Sequence, residues 1–255
     1  LSADHVHVSG LVLNSIAGTA IAVGGDNSIL TGNYIGTDPT GRRAKPHGAD
    51  HNGINGDTEP GSTGLRIGGL LASERNLISG NTGAGITPNT DDNDWVIQGN
   101  YIGVDSTGMK ALPNSSAEGP GGLSLDNSNG HKVGGRETTA VNVISGNLNA
   151  GIAPDNTVGI EIRGNLIGVG RDGKTSVGNQ GAGITFSSCK DPIIADNVVA
   201  YNNTLIGNRG NNLLDGGDGD DLIASRGGAD HIRGGLGNDT LTYAASVAAV
   251  NVDLG

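Results

Sequence analysis

The feature that most constrains the fold is an internal repeat of about 66 residues, since self-similarity at a fixed period is the signature of a repeat architecture. The segment GNYIGTDPTG at Gly32 returns as GNYIGVDSTG at Gly99 and, in weaker form, as GNLIGVGRDG at Gly164. The segment RNLISGNTGAGI, which ends at Ile86, returns with nearly the same spacing as VNVISGNLNAGI, which ends at Ile152. In a solenoid each repeat buries its apolar face only against its neighbours. We therefore expect about three stacked units between the N-terminus and residue 203.

Each unit consists of short aliphatic runs separated by Gly, Asn, Thr and Asp, a pattern that favours short strands bounded by turns over helices. A unit of this length divides into about three rungs of ~22 residues, each the size of one coil of a parallel β-helix with aliphatic ladders inside. Aromatic residues make up only 2% of the chain and glycine numbers 47. This composition suits many tight turns with thin aliphatic layers, and it does not suit an ordinary layered core.

Asparagines recur in the repeated GN dipeptides, and we expect them at turns. There a side-chain amide can bond the backbone or its counterpart one rung away, which is a structural role. Tyr34 and Tyr101 occupy the same unit position as Leu166, which indicates packing and argues against a catalytic acid. The predicted turn asparagines are Asn33, Asn81, Asn100, Asn147 and Asn165.

The repeats GNYIGTDPTG and RNLISGNTGAGI resemble those of large bacterial right-handed parallel β-helix proteins, which are often secreted or exposed on the cell surface. The resemblance covers roughly residues 10–200. It implies the fold, but these proteins do not share one established activity.

From Gly207 the period changes to nine, in the form G-G-x-G-x-D-x-U-x with U aliphatic. Four copies follow one another without a gap, as GNRGNNLLD, GGDGDDLIA, SRGGADHIR and GGLGNDTLT. The glycines form turns that aim carbonyl groups inward, and the aspartate supplies a carboxylate, as an oxygen-seeking calcium ion requires. The sixth residues are Asn212, Asp221, Asp230 and Asp239, and the eighth are Leu214, Ile223, Ile232 and Leu241.

Two nonapeptides make one coil, so each copy stacks on the next but one, with Ca²⁺ between stacked turns. The repeats resemble the repeats-in-toxin (RTX, hemolysin-type) modules of bacterial proteins exported by type I secretion, which implies calcium as the cofactor. Asp221 pairs with Asp239 in the better site, and Asn212 pairs with Asp230 in a weaker one. Without calcium, repulsion among the aspartates predicts an unfolded segment. The turn glycines of the predicted site are Gly216, Gly219, Gly234 and Gly237.

The net charge of −11 and the pI of about 4.7 argue against nucleic acid or an anionic membrane as a partner and favour cations. No apolar run approaches the ~20 residues that a membrane-spanning helix needs. The single cysteine, Cys189, allows no intramolecular disulfide and no cysteine-cluster metal site.

One loop, residues 41–61, departs from its repeat and gathers charge, as grafted functional loops do. A lyase or C5-epimerase of uronic acids needs a neutraliser, a base and an acid. A solvated insertion is the alternative for this loop. The candidate catalytic residues are Lys45, His47, Asp50 and His51, with Arg42 as a second neutraliser and Tyr34 as an acid.

Two further sites are open on sequence grounds. Asp91, Asp92 and Asp94, beside Trp95, could contribute to the carboxylate pair of a hydrolase. His5 and His7 share one strand face and could hold a metal. The order of β-helix and nonapeptides is similar to that of alginate C5-epimerases, but the Asp-Pro-His-Glu signature of their catalytic module is missing.

We therefore predict an all-β chain: a right-handed parallel β-helix solenoid in residues 1–203, followed by a parallel β-roll in residues 204–255. The first functional hypothesis is a calcium-binding, structural or adhesive segment of a larger bacterial protein, secreted or displayed on the cell surface. The alternative is a polysaccharide-active enzyme or a glycan-binding module. The sequence decides neither the glycan nor the oligomeric state.

Overall fold

The structure is a computed structural model that describes residues 1–57, 61–115, 121–202, 204–206, 213–218, 222–224, 229–242 and 251–253. Within these residues the only helix is a 3₁₀ turn, Ala72–Glu74. In chain order the strands are β1 (His7–Ser9), β2 (Val12–Leu13), β3 (Ile21–Val23), β4 (Ile29–Thr31), β5 (Tyr34–Ile35), β6 (Ile54–Gly56), β7 (Arg66–Gly68), β8 (Leu77–Ile78), β9 (Ile86–Thr87), β10 (Val96–Gln98), β11 (Tyr101–Ile102), β12 (Leu123–Asp126), β13 (Lys132–Gly134), β14 (Val143–Ile144), β15 (Ile152–Asp155), β16 (Glu161–Arg163), β17 (Leu166–Ile167), β18 (Ile193–Ala195), β19 (Val198–Val199), β20 (Thr204–Ile206), β21 (Leu213–Asp218), β22 (Leu222–Ala224), β23 (His231–Leu236), β24 (Thr240–Thr242) and β25 (Asn251–Asp253).

The first 19 strands form three parallel sheets, which are the sides of a parallel β-helix. Sheet A contains β1, β4, β7, β10, β13, β16 and β18; sheet B contains β2, β5, β8, β11, β14, β17 and β19; sheet C contains β3, β6, β9, β12 and β15. Successive coils of the chain supply successive strands to each sheet, and each strand pairs with the equivalent strand of the next coil. The predicted β-solenoid is therefore confirmed.

The number of coils in each repeat differs from the expected three. Along sheet A, Ile29 pairs with Arg66 and Arg66 with Val96, so one unit consists of two coils, which begin at Ile29 and Arg66. The next unit repeats this division, with coils that begin at Val96 and Lys132. Of the coils measured along this sheet, only the first, from His7 to its partner Ile29, has the expected length. The prediction of three short rungs was wrong because the later coils carry inserted loops at their corners.

The interior holds aliphatic ladders, as predicted. One residue of each short strand points inward, and its partner in the next coil has the same character, because a register shift would turn it to the surface. Sheet A contributes Leu30, Ile67, Ile97, Val133, Ile162 and Ile194; sheet B contributes Ile35, Ile78, Ile102, Ile144, Ile167 and Val199; sheet C contributes Ile21, Ile54, Ile86, Leu123 and Ile152.

Two columns of buried asparagines run along the corners of the solenoid. In each column, a side-chain N–H donates to the side-chain oxygen of the asparagine one coil further on, at 2.8–3.2 Å. The five predicted turn asparagines all belong to these columns, so their structural role is confirmed. The first ladder contains Asn33, Asn76, Asn100, Asn142, Asn165 and Asn197; the second contains Asn81, Asn114, Asn147, Asn179 and Asn202.

Three hairpins cover the outer face of sheet B and form a second, smaller core. They span residues 37–44, 104–111 and 169–176, and each closes through one antiparallel bridge. They arise from the repeated GNYIG segments, because each follows the glycine at the end of a sheet B strand. Tyr34, Tyr101 and Leu166 pack beneath them, which confirms the predicted packing position.

The nonapeptide region continues the solenoid. Strands β20, β22 and β24 form one parallel sheet, and β21, β23 and β25 form another. The first of these strands stacks on the last coil of the β-helix, where Thr204 bridges to Ala182 and Gly183 N donates to Thr204 O at 3.1 Å. Strand β19 contacts β21, and Leu214 belongs to the same core cluster as Val199. The β-helix therefore meets the roll through paired backbone and a continuous apolar core.

Candidate calcium-binding site

The strand register of the roll confirms a coil of two nonapeptides. Leu213 pairs with His231, and Leu222 pairs with Thr240, so each pairing joins one nonapeptide to the next but one. Copy one therefore stacks on copy three, and copy two on copy four. After the fourth copy the register lengthens, because the partner of His231 is Asn251, two positions beyond where an unbroken period of nine would place it.

The aliphatic residue of each copy enters the core. Leu214 is 3% exposed, and Ile223 and Ile232 are fully buried. Leu241 packs against the same cluster and is partly buried. Four residues in phase with the nonapeptides thus hold the acidic turns together from the inside, which a solvated linker would not do.

The glycine turns fit a carboxylate that folds over them. The Asp239 side chain lies so close to the α-carbon of Gly234 that a Cβ at that position would overlap a carboxylate oxygen. Gly235 and Gly237 have φ angles of +104° and +140°, which residues with a side chain rarely adopt. Asp230, in copy three, is only 2% exposed. The roll therefore places the Asp239 carboxylate against a glycine backbone and buries the aspartate of the preceding copy.

Three of the eight residues of the predicted site, Asn212, Asp221 and Gly219, lie outside the described residues. The pairings of Asn212 with Asp230 and of Asp221 with Asp239 therefore stay predictions. Gly216 lies within β21, which is six residues long and extends beyond the aliphatic residues into the glycines of the next copy. The pairing extends because it runs through the glycines, with Gly217 opposite Gly235.

These residues fit calcium. The ion prefers carboxylate and carbonyl oxygens, and a carboxylate over an open glycine backbone offers both. When bound, calcium supplies positive charge that offsets the mutual repulsion of the aspartates and links one copy to the next but one. Among the described residues, Asp239 and the backbone of Gly234 and Gly237 would hold the ion of one site, and Asp230 would hold the ion of the other.

Comparison with known protein families supports this assignment. Residues 199–231 and 206–241 match the RTX calcium-binding nonapeptide repeat. The match covers the roll and leaves the β-helix unassigned. No curated protein and no solved structure matched the chain. The roll is therefore a module of calcium-binding RTX repeats, and calcium is its cofactor.

The predicted catalytic residues of the 41–61 loop lie in different environments. Lys45 and Asp50 are exposed, and His51 is half-buried. His47 is only 4% exposed, and its Nδ1 accepts a hydrogen bond from the backbone N–H of Ile16 at 3.3 Å. Burial, reinforced by nearby His51, lowers the pKa of His47. The loop thus brings the two histidines together and leaves the lysine and the aspartate in solvent.

His47 occupies a position of the second asparagine ladder. It stands as far along the chain from the end of β5 as Asn114 does from the end of β11. Ile16 N donates to His47 as Asn81 N donates to Asn114, at 3.2 Å. The His47 Nε2 atom and the Asn81 Oδ1 atom are both buried without a hydrogen-bond partner. The ladder therefore has one mismatched rung, between His47 and Asn81 in the next coil.

Of the residues considered for a hydrolase site, Asp91 and Asp94 are exposed, whereas Asp92 and Trp95 are buried and have structural contacts. Asp92 is fully buried, and it accepts hydrogen bonds from Ser62 N, Ser62 Oγ and Asn89 N at 2.5–2.7 Å. Burial raises the pKa of Asp92 despite these bonds. Trp95 is fully buried and donates from Nε1 to Ser62 Oγ at 3.0 Å. Asp92 and Trp95 thus hold residues 61–63 against the next coil.

The N-terminal histidines are exposed, and His7 Nε2 lies 2.8 Å from Thr31 Oγ1. No group of three or more His, Cys, Asp or Glu side chains suited to a metal occurs among the described residues, which exclude Asn212 and Asp221 of the roll. Nor does this part of the chain contain a helix long and apolar enough to cross a membrane.

The sequence did not predict two features of the structure. His131 is fully buried, accepts from Trp95 N at 3.1 Å and lies 2.8 Å from Ser128 Oγ. Burial lowers its pKa to about 4. No sequence signal distinguishes it from a surface histidine. The second feature is the cluster of cations on the three hairpins, whose signal was the recurrence of Lys and Arg near the tip glycine of each repeat.

Proposed function

We propose that the chain is a calcium-dependent structural or adhesive rod of a bacterial secreted or cell-surface protein. The rod is the β-helix of residues 1–203, and the roll of residues 204–255 continues it. The observation that carries this proposal is the direct stacking of the roll on the last coil, through Thr204 and the core residues Val199 and Leu214. The roll that calcium orders also covers the apolar end of the rod.

An extracellular location suits this role. Calcium-binding modules outside the cell have dissociation constants of about 10⁻⁴–10⁻³ M. A site built from one aspartate per repeat can reach such a weak affinity. The RTX match supports the same location, since such repeats are typical of exported proteins.

Calcium titration of the full chain tests the proposal. We expect calcium to increase β-structure by circular dichroism and to raise the temperature of the last unfolding transition by calorimetry, because binding free energy adds to folding free energy. Asp239→Asn should shift the midpoint to higher calcium. The matched control is Asp91→Asn, since Asp91 is exposed, lies outside the roll and has a φ of +74° that asparagine tolerates. No calcium response, or equal responses of both variants, contradicts the proposal.

A glycan-binding role is the second candidate, with polysaccharide turnover as its catalytic form. The observation that favours it is the exposure of Arg42, Arg43 and Lys45 in the loop that also carries the half-buried His51. In the catalytic form Lys45 neutralises a uronate and His51 acts as the base, since His47 is buried in the asparagine ladder. Turnover of uronan polymers that is lost in His51→Ala and retained in His5→Ala would support an enzyme. Absence of turnover across a polysaccharide panel would refute it and leave binding alone.

A further inference from the structure

The three hairpins over sheet B, together with Lys45 directly after the first, form a single column, which we call the hairpin column (residues 37–45, 104–111 and 169–176). The hairpins contact one another directly. Ser106 N donates to Gly41 O at 2.8 Å, and Arg171 N donates to Gly108 O at 2.9 Å. Ser106 Oγ adds a bond to Thr40 O at 2.9 Å. The tips are thus joined along the rod by backbone hydrogen bonds.

The column is a rigid surface. Beneath it, Leu77 and Tyr101 are 2% and 5% exposed, and Val104 is fully buried, so the hairpins are fixed from below by apolar contacts. The guanidinium of Arg75 lies 4.3 Å from the centre of the Tyr101 ring. The backbone from which the column's side chains project outward is therefore held in place.

The aspartates of the column are bound to its own turns. Asp38 accepts from Thr40 Oγ1 at 2.8 Å and from Arg42 N at 3.1 Å. Asp172 accepts from Thr175 N at 2.9 Å and from Lys174 N at 3.0 Å, and these bonds lower its pKa to about 2. These carboxylates therefore face the backbone of their own turns.

The cations of the column face solvent. All six are exposed, and none forms an ion pair with another described residue. They are six of the 15 Lys and Arg residues of the chain, whereas the column holds three of its 26 Asp and Glu residues. A surface with a net charge of +3 thus lies on a chain of net charge −11. The cations are Arg42, Arg43, Lys45, Lys110, Arg171 and Lys174.

We propose that the hairpin column is a docking surface for a linear polysaccharide that carries carboxylates. The hairpins come from every second coil, so they recur about every 10 Å along the rod, twice the strand spacing, and each carries a cation within two residues after its tip glycine. A linear polyanion can follow the rod and contact each hairpin in turn. The proposal gives a location to the glycan-binding role suggested above and rests on that role.

Charge and composition favour an acidic glycan over nucleic acid. Single-stranded nucleic acids need exposed aromatic rings for base stacking. On the column Tyr101 is buried and Tyr34 is partly covered. Duplex DNA binding requires many phosphate contacts. The column could contact one strand, but the acidic surface of the remaining chain would repel the phosphates of the second strand.

Affinity electrophoresis and calorimetry of the full, calcium-loaded chain test the proposal. The probe is a uronate oligosaccharide too short to gel with calcium. The column variant, Arg43→Gln/Lys110→Gln/Lys174→Gln, removes one cation from each hairpin. The matched control, Lys132→Gln/Arg136→Gln/Lys190→Gln, removes three exposed cations from other parts of the surface. The calcium response of the roll is measured in the same samples, so failure of docking and failure of the calcium proposal are separable.

We expect the wild type to bind the uronate probe, with affinity that falls as salt rises. The column variant should bind about tenfold or more weakly, since three surface ion pairs are lost together, while the control stays within about twofold. Absence of uronate binding at low salt, equal losses in both variants, equal binding of neutral dextran, or tighter binding of duplex DNA would each overturn the proposal.

Discussion

We expect protonation of the buried His131 to lower the free energy of unfolding in mild acid. The side chain is fully buried beside Trp95, with ring centres 6.0 Å apart, and Nδ1 accepts the Trp95 backbone N–H. A neutral imidazole fits this site, because Nε2–H can donate to Ser128 Oγ. A second proton would place a donor at Nδ1 opposite another donor and a charge in an apolar surrounding.

The magnitude follows from the two states of the chain. The unfolded chain takes up the proton near the ordinary pKa of 6.5, whereas the folded protein resists it until about pH 4. Stability is therefore complete above pH 6.5 and falls as the pH drops to about 4, below which this histidine adds no further dependence. The shift corresponds to about 3 kcal/mol of unfolding free energy.

Urea unfolding followed by Trp95 fluorescence measures this effect, since Trp95 is the only tryptophan and touches the titrating ring. The comparison is between the wild type and His131→Gln from pH 7 to pH 4, in constant calcium. Carboxylates and the calcium sites titrate in both proteins, so the difference isolates His131. His7→Gln, at an exposed histidine, is the control and should behave as wild type. Identical pH dependence in His131→Gln and wild type would refute the reasoning.

Three further changes have expected outcomes. Asn142→Ala removes a fully buried rung that bonds Asn100, Ile97 O and Asn165, so its urea unfolding free energy should fall by about 3 kcal/mol, against about 1 kcal/mol for the exposed Asn129→Ala. His47→Asn should raise the free energy of unfolding in urea by about 1 kcal/mol, because an amide can donate to the unpartnered Asn81 Oδ1; a lower free energy of unfolding would disprove the mismatch. Gly234→Ala, whose Cβ would overlap the Asp239 carboxylate, should weaken the calcium response in circular dichroism, whereas Gly18→Ala has open space and should not.

The sequence predicted the features that repeat at short range. The period of nine, with Leu214 and Ile223 in phase, specified the register of two nonapeptides per coil, because an aliphatic residue one position out of phase would face solvent. The aliphatic strands of the β-helix and the asparagines of the GN dipeptides were predictable for the same reason. Each depends on a local pattern that every coil must satisfy.

Features that depend on loop length were not predictable. The long period counts the hairpins and corner loops together with the strands, so division by the length of a minimal coil gave three rungs where the structure has two. The sequence did not predict Asn114 and Asn179 as ladder members, because a whole hairpin separates each of them from the preceding strand. Asn81, in contrast, closely follows β8. A ladder position is defined by the stacking of coils, which no single repeat reveals.

The 41–61 loop shows why accumulation of charge was an ambiguous signal of function. Arg42 and His47 are close together along the chain, but the first projects from a hairpin into solvent and the second replaces an asparagine inside a corner. The sequence places both in one polar segment, whereas the solenoid exposes one and buries the other. The outward cations recur in the hairpins at Lys110 and Lys174, while the buried histidine has asparagines as its counterparts in the other coils. Recurrence on the outer surface, rather than density of charge along the chain, therefore identifies the part of this loop that is available to a partner.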